Sequence, residues 1–448
     1  MASARNIEEK IGATSVNFEI RFATTYRMRV LHTADWHLGQ RFISGHERTD
    51  EHRLFLDWLV QTVRERQVEV LVVAGDVFDT GSPSSTALEL YYSFLVSLRQ
   101  TDCRDVVIVG GNHDSPATLN APARLLRHLR VHVVGCVPEC FDDQILLLDD
   151  AHGQPGLLVC AVPFLRDRDV RLSVPGESAE DREQRIRQGI ADHYARVAET
   201  ERVWQHKAAG RPVLATGHLY AAGGTASDSE RTIHVGNLGQ VTADHFPACF
   251  DYVALGHLHR PQRVGGREHI RYSGSPIPLS FSEVQDTKQV LLLDFQNGAV
   301  GIEPIEVPTA RRLARFHGSL EEVSADLLAY DNAGLPLPAW VDVEVRSELS
   351  QLEVAEQLLK VIEMLDRKQL EVLSRRHLRL VTLRPLGDEP EPLTRSLHDF
   401  TEREVFERRL ENEPEDDRPE LLRTFDELTE LMHEASPPGP LSKGRGGA

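Results

Sequence analysis

The stretch "VVIVGGNHDS", Val106 to Ser115, decides how this chain is read. An apolar run stops at Gly110 and Gly111 and then presents Asn112, His113 and Asp114. A turn needs only the glycines. An amide, an imidazole and a carboxylate at the mouth of a buried strand point to a site. The arrangement recurs along the chain. "HTADWH" sets Asp35 and His37 behind a strand, and "VVAGDVFD" sets Asp76 and Asp79. "ATGHLY" contributes His218, and "ALGHLH" contributes His257 and His259. These residues follow strand ends, usually behind a Gly or Ala that lets the backbone turn tightly. Strand ends at one edge of a sheet converge, so the set can share one pocket. Singly each motif is common, and a lone strand-end histidine is more often a hydrogen-bonded structural residue. Most of the 20 histidines, His128 and His269 among them, are read that way. The motifs together, in this order, are not explained by coincidence.

Imidazole mixed with carboxylate suits borderline divalent ions such as Mn²⁺, Fe²⁺ or Zn²⁺, and the lack of thiolate argues against a structural zinc. Paired metals in phosphate-cleaving sites sit roughly 3.5–4 Å apart and clamp the attacking and leaving oxygens. A carboxylate must bridge them, because it has two oxygens and offsets the repulsion between cations. With Asp35 and Asp76 as the anions, two divalent ions leave a formal charge of about +2, which attracts a phosphodiester. A neutral Asn112 preserves that surplus; an aspartate in its place would halve it.

The rest of the chain sets limits. At 448 residues it exceeds what one core usually supports, so two or three domains are expected. Composition is that of a soluble globular protein, and no apolar run approaches the roughly 20 residues of a membrane span. The cysteines (Cys103, Cys136, Cys140, Cys160, Cys249) lack metal-finger spacing. They read as plain buried thiols in a reducing, cytoplasmic compartment. Residues 1–27 lack the apolar core of a secretory signal and read as a disordered leader. The formal charge of −19 argues against a generic nucleic-acid coat. From Asp388 to Glu434, however, 17 acidic residues face 6 basic ones, a net of −11. More than half the excess therefore sits in one tail, and the body remains free to meet phosphate.

From Met28 to Pro308 short apolar runs alternate with helical stretches, an α/β pattern. "MRVLHT", "VEVLVVAG", "DVVIVGG", "GLLVCAVP", "RPVLATGH", "DYVALGH" and "QVLLLDF" read as buried strands. "HRLFLDWLVQTVRER" carries Leu54, Trp58, Leu59 and Val63 on one helical face. "SPSSTALELYYSFLVSLRQ" takes Ser82 as N-cap and Pro83 in its first turn. That helix is apolar on more than one side, which fits either a second packing surface or full internal burial. Residues 309–390 read as a small α+β module, with "AWVDVEVRS", "VAEQLLKVIEML" and "RHLRLVTLRP" as strand, helix and strand. An acidic helical segment, 391–435, carries an apolar stripe of Leu422, Phe425, Leu428 and Leu431 that needs a cover. Residues 436–448 read as a disordered tail. No G-x-x-x-x-G-K-[ST] occurs, so any ATP dependence must come from a partner.

The metal-type motifs resemble those of the calcineurin-like metallophosphoesterases. "MRVLHTADWHLGQRF", "VAGDVFDTGSPSS", "GNHDSPATLN", "ATGHL", "DYVALGHLHRPQ" and "YSGSPIPLSFSE" resemble, more closely, its bacterial DNA-nuclease branch, from Met28 to about Ala435. The resemblance implies an α/β (α+β) metallophosphoesterase fold of two packed mixed β-sheets flanked by helices. A small α+β capping domain and a C-terminal helical tail complete it. It puts one metal on Asp35, His37, Asp76 and His259 and the other on Asp76, Asn112, His218 and His257. Asp76 then bridges, and His113 is a catalytic non-ligand near the scissile phosphate, positioned by a catalytic Asp114. Asp79, where relatives often carry histidine, is read as a hydrogen-bond partner of a ligand histidine. The ions implied are two divalent cations, Mn²⁺ first, with Mg²⁺, Fe²⁺ or Zn²⁺ as alternatives.

By the same resemblance the module at 309–390 caps a DNA groove, and the tail docks on a coiled-coil ATPase. The helix after Pro83, with "ATLNAPARLLRHL", forms a dimer surface, giving a homodimer within a heterotetramer and no membrane contact. Arg166, Arg168 and Arg171 in "FLRDRDVRL" are either phosphate contacts or a solvated charged face. The expected activity is two-metal cleavage of double-stranded DNA ends and hairpins, exonucleolytic and single-strand endonucleolytic, in DNA repair and recombination. The alternative is a phosphatase or cyclic-nucleotide phosphodiesterase of the same superfamily. The module, the acidic tail and "YSGSPIPLSF" favour the nuclease.

Overall fold

The computed structural model describes residues 27–172, 176–221, 241–367 and 369–379, together with 403, 406, 410, 418 and 421–426. β2 (Val70–Ala74) and β3 (Asp105–Val109) are buried at every residue. Continuous β-branched runs of this kind belong in a parallel sheet covered on both faces. They lie inside a six-stranded sheet of order β12–β11–β1–β2–β3–β4. In it β1 (Arg27–Thr33) through β4 (Val131–Val134) are parallel. β11 (Gln289–Gln296) and β12 (Ala299–Glu306) add antiparallel strands beside β1.

A second six-stranded sheet runs β5–β6–β7–β8–β10–β9. β6 (Pro155–Cys160), β7 (Val213–His218), β8 (Tyr252–Gly256) and β10 (Arg267–Tyr272) are parallel. β5 (Ile145–Asp149) and β9 (Gln262–Val264) are its antiparallel edges. Both sheets are mixed, as the resemblance implied.

Period-two alternation decides which layer each side chain enters. Val30, Val72 and Val107 share one cluster with Leu157, Leu214 and Ala254 of the other sheet. Their neighbours Leu31, Leu71, Val73 and Ile108 cluster instead with α1 (Thr49–Glu65) and α2 (Ser85–Leu98). Short helices α3 (Pro116–Asn120), α4 (Ala123–Arg127) and α5 (Asp167–Val170) lie between strands. α6 (Ala179–Ala198) and α7 (Glu201–Ala208) bury Ile186, Ile190, Tyr194 and Val203 with the second sheet's Leu158, Val213 and Val253. Truncating one such residue, Leu59 for example, costs about 2–5 kcal/mol.

Several local expectations change here. The inner face of α1 is Phe55, Leu56, Leu59 and Val63, while Leu54 is exposed and Trp58 only partly buried. α2 begins later than Ser82 suggests: Ser84 is its N-cap and accepts from the Ala87 amide at 3.2 Å. α2 is also not fully internal, since Glu89, Ser93 and Val96 are exposed. All five cysteines are free, but only Cys103 and Cys160 are buried and Cys140 is exposed.

The C-terminal module is a parallel three-stranded sheet, β13 (Leu313–Gly318), β14 (Ala339–Ser347) and β15 (Leu370–Arg379). Its crossovers are α8 (Leu320–Ala329) and α9 (Gln351–Met364). Ser319 with Glu322 and Ser350 with Glu353 form capping boxes at the two helix starts. The third strand begins at Leu370, ahead of the "RHLRLVTLRP" segment expected to form it. Residues Leu370 to Arg379 pair with β14 over its whole length; of the expected segment, Arg376 to Arg379 close that pairing and 380–385 lie outside the described residues.

The module meets the rest through an aromatic joint of Phe42, Phe281, Leu313, Trp340 and Leu373. Phe42 stacks on Trp340, and Arg311 lies over the Trp340 ring at 4.0 Å. Beneath them a buried carboxylate, Glu51, is shared by Arg48 and by Arg311, the latter at 3.0 Å.

Residues 381–448 form a separate unit. Within it Phe425 stacks on Phe406 at 4.2 Å and Arg403 pairs with Asp426 at 2.9 Å. Part of the cover expected for the apolar stripe is thus supplied from the same unit. Leu422 is partly buried, whereas Leu428 and Leu431 lie outside the described residues, as do residues 436–448 and the expected leader up to 26. Arg27, counted with that leader, is instead the first residue of β1 and pairs with Gln296. Among the described residues, no helix is long and apolar enough to cross a membrane.

Candidate metal centre

Asp35 and His37 straddle Trp36, whose indole is fully buried against Phe55 and Phe94 and donates to Thr33 Oγ1 at 3.0 Å. With Trp36 anchored in the core, its two neighbours are left for the site. The segment is zipped onto the end of β2 by Asp35 N to Gly75 O and His37 N to Asp76 O, both 3.0 Å. Asp35, His37, Asp76 and His257 all have positive φ, at 55°, 47°, 47° and 100°. Such conformations cost on the order of 1–3 kcal/mol each and persist where surrounding structure enforces them. Gly111 is required by proximity: a Cβ there would sit 2.0 Å from Asp76 Oδ1.

Asp76 is the hinge of the cluster. Its Oδ2 lies 3.6 Å from His37 Nε2 on one side and 3.1 Å from His218 Nε2 on the other. Beyond His218, Asn112 Oδ1 is 2.9 Å from both His218 Nε2 and His257 Nδ1. His218 Nδ1 is held by the Ala74 carbonyl at 3.0 Å, which turns Nε2 toward the cluster. On the other side, Asp35, His37 and His259 offer ligand atoms within 4.8 Å of one another; so do Asp76, His218 and His257. The seven residues expected as ligands are therefore brought together, and all but Asn112 are buried. His37, Asp76 and His113 also satisfy the same spacing.

His113 and Asp114 behave differently from the expectation. The Asp114 carboxylate does not hold the His113 ring. It accepts from the amides of Val77, Phe78 and Gly111 at 3.1, 3.0 and 2.9 Å, and so ties the two loops together. His113 is held instead by its own Nδ1 donating to the Asp79 carbonyl at 2.8 Å and its amide donating to Asp76 Oδ1 at 2.9 Å. The Asp79 carboxylate bonds His37 Nδ1 at 3.2 Å, so its partner is a histidine that the sequence reading places among the ligands. Of the three arginines, Arg171 is sequestered by Asp167 and Glu177, while Arg168 is exposed beside Asp169. Sequence reading misses Glu283 and Lys288, which lie buried behind His259. The one signal is the "YSGSPIPLSFSE" motif, whose last residue is Glu283.

Burial pushes the Asp35 carboxyl up to about 7, against the pull of the His218 charge. Burial opposes ionisation of Asp76 as well, yet the charge and hydrogen bond of His218, reinforced by His37, hold it well below the usual carboxylate range. Burial lowers His37 and His218, but the Asp79 hydrogen bond with the charges of Asp76 and Asp35 raises His37, and Asp76 with Asp35 raises His218, both to about 9. Burial lowers His259 to about 4, leaving a neutral ring. Asp35 Oδ2 and His37 Nε2 remain buried without a hydrogen-bond partner. Each unpaired buried polar group costs about 1–3 kcal/mol. A buried set of imidazoles, carboxylates and one amide, with two atoms unpaired, fits a pair of divalent cations.

Comparisons with known proteins give the family. The family model described as "Calcineurin-like phosphoesterase" matches residues 28–261. A second, described as "Type 5 capsule protein repressor C-terminal domain", matches residues 309–413. The chain is similar to SbcD, the D component of the nuclease SbcCD, from Escherichia coli (strain K12): 40% identical over 86% of this chain and 92% of the relative. SbcD from Rhodobacter capsulatus is 37% identical, with 82% and 92% covered. That from Bacillus subtilis (strain 168) is 32% identical, with 81% and 86% covered. With strand-end carboxylates and histidines gathered on Asp76 and these relatives matched along most of their length, the chain belongs to the calcineurin-like phosphoesterases, as a metal-dependent nuclease of the SbcD family.

Proposed function

We propose that this nuclease uses two Mn²⁺ ions to cleave double-stranded DNA ends and hairpins, in the cytoplasm, as the partner of a coiled-coil ATPase in DNA repair and recombination. The observation that carries the reading is Asp76, whose one carboxylate faces His37 and His218 at once. Asp35, His37, Asp76 and His259 would hold one ion, and Asp76, Asn112, His218 and His257 the other. Ions held there supply charge stabilisation at the phosphoryl group and a water of lowered pKa. His113, with Nδ1 committed to the Asp79 carbonyl, keeps Nε2 to protonate the leaving oxygen. Asn112 contributes an oxygen without charge, so the centre stays attractive to a phosphodiester. The module from 309 caps the DNA groove, the acidic segment 391–435 docks on the ATPase, and two copies of the chain pair through α2.

The test is hydrolysis of labelled linear and hairpin duplexes by the purified chain with Mn²⁺ and with EDTA. Metal-dependent cutting is expected. Turnover of phosphomonoesters or cyclic nucleotides with duplexes left intact would instead favour the phosphatase reading. Removing residues 390–448 is expected to leave metal content and Mn²⁺-dependent phosphodiester cleavage near the full-length level while abolishing ATP-stimulated cutting. Full co-elution of the truncated chain with its ATPase would move the docking site elsewhere.

A further inference from the structure

The segment "SGSPIPLSFSEVQDTK", Ser273 to Lys288, carries a buried acid and a buried base that the proposed chemistry does not use. Glu283 is 0% exposed and Lys288 6%. Both converge on His259. Glu283 Oε1 lies 3.5 Å from His259 Nδ1. Its Oε2 accepts from Lys288 Nζ at 2.6 Å and from the Leu279 amide at 3.0 Å. Lys288 Nζ also donates to the carbonyl of His259 at 3.0 Å and to Ser275 Oγ at 2.9 Å. An ammonium has three protons to donate, and here each has an acceptor. Ser275 N bonds the same His259 carbonyl at 3.1 Å. The ring and the backbone of His259 are thus gripped by one closed network.

We propose that Glu283 and Lys288 are positioning residues for His259, fixing its tautomer and ring angle so that Nε2 alone is offered beside Asp35 and His37. The inference rests on the reading of His259 as a metal ligand. A carboxylate accepting from Nδ1–H leaves Nε2 as the ring's lone-pair nitrogen and makes it a better donor to a cation. Lys288 has a separate task. A buried carboxylate without a counter-charge would be neutralised or drawn onto the metal itself. With the ammonium held against it, Glu283 stays an acceptor one step behind, and the pair adds no net charge to the centre. A buried ion pair is weak support for stability, because apolar replacements are often as stable. Orientation of His259 explains why the network closes on this residue.

The experiment titrates Mn²⁺ into the metal-free full-length chain by calorimetry and follows unfolding without metal in parallel. Glu283→Gln keeps the shape and weakens the acceptor. One of the two Mn²⁺ ions is expected to bind about 10–100-fold more weakly, with the other unchanged. Unchanged affinity at both sites would overturn the proposal. If Lys288, left without its carboxylate, prevents Glu283→Gln from folding, the neutral pair Glu283→Gln/Lys288→Met removes the stranded charge. It is expected to fold and to show the same selective loss. Full Mn²⁺ affinity in that double variant would mean that charge balance alone mattered, and the positioning role would fall. His259→Ala separates the two readings. If it keeps both ions, the ligand assignment fails; if it loses one ion while Glu283→Gln loses none, only the positioning role fails.

Discussion

The aromatic joint and the strand-end cluster both bury several charged side chains, and they handle them in opposite ways. At the aromatic joint, Glu51 takes Arg48 and Arg311, and Arg48 also reaches the Pro278 carbonyl. None of the three leaves a buried polar atom without a partner. At the strand ends, Asp35 and His37 each leave one. Backbone conformation follows the same division: positive φ marks Asp35, His37, Asp76 and His257, and none of the joint's charged residues. A joint needs only to be stable, and its network is closed by the protein's own atoms. A centre that receives cations keeps buried valence open, and strained backbone holds it so.

The largest effect expected from this contrast is at Asp76. Asp76→Asn removes half the anionic charge and the one group facing both halves of the cluster. Turnover is expected to fall at least about 10⁴-fold, more than about 5 kcal/mol of barrier. Affinity for both ions should fall, with folding of the metal-free chain retained. Elemental analysis finding two tightly held ions in this variant would refute the bridging assignment. Glu51→Ala is the counterpart at the joint. It strands two buried guanidiniums and is expected to lower stability by about 3–5 kcal/mol. Denaturant unfolding measures the loss, and the folded fraction should bind Mn²⁺ with native stoichiometry. Loss of metal without loss of stability would erase the distinction between the two regions.

His113 tests the boundary of the open cluster, because it satisfies ligand spacing with His37 and Asp76 yet is tied through Nδ1 to a carbonyl. As a proton donor its loss in His113→Ala is expected to cost roughly 10²–10⁴ in rate, with both ions retained. Asn112→Ala should do the reverse and empty one site. Release of a metal from His113→Ala would make it a ligand.

The gathering of Asp35, His37, Asp76, Asn112, His218, His257 and His259 is readable from sequence because each lies at or just past the end of an apolar strand, and parallel strands deliver their ends to one place. Asp114 is misread from sequence because a carboxylate next to a histidine looks the same whether it meets the ring or, as here, three backbone amides. The face of α1 shifts by one residue because Leu54 and Phe55 are both apolar, and only packing on the sheet selects Phe55. The third strand of the small module is set too late by its pattern because alternation continues past its true start, and pairing with β14 decides the register. Glu283 and Lys288 follow no period that ties them to His259; their contact exists only after the second sheet and its following loop have folded.

The smallest expected effect is a pH dependence, and its sign separates an open cluster from a closed one. Without metal, His37 and His218 sit at about 9 against an ordinary value of 6.5. Their contribution to stability is complete below about pH 6.5 and is lost as the pH rises through 9. Asp35, raised to about 7 from 3.8, favours the folded state in its neutral form, so its ionisation between about pH 4 and 7 also removes stability. Asp76 is depressed; its contribution is present throughout this range and is lost only on further acidification. The share of stability that comes from His37, His218 and Asp35 is therefore smaller at about pH 8.5 than at about pH 5.5. His32, His52, His193 and His259, lowered by burial to about 3, 3, 4 and 4, work against that trend below about pH 6.5. Cation binding runs the other way, because ions must displace the protons on His37, His218 and Asp35. The rise in melting temperature on adding Mn²⁺ should grow over the same interval, as should its affinity by calorimetry. A Mn²⁺ increment that is flat or shrinks with pH would mean that the cluster closes on its own protons, as the joint closes on its arginines.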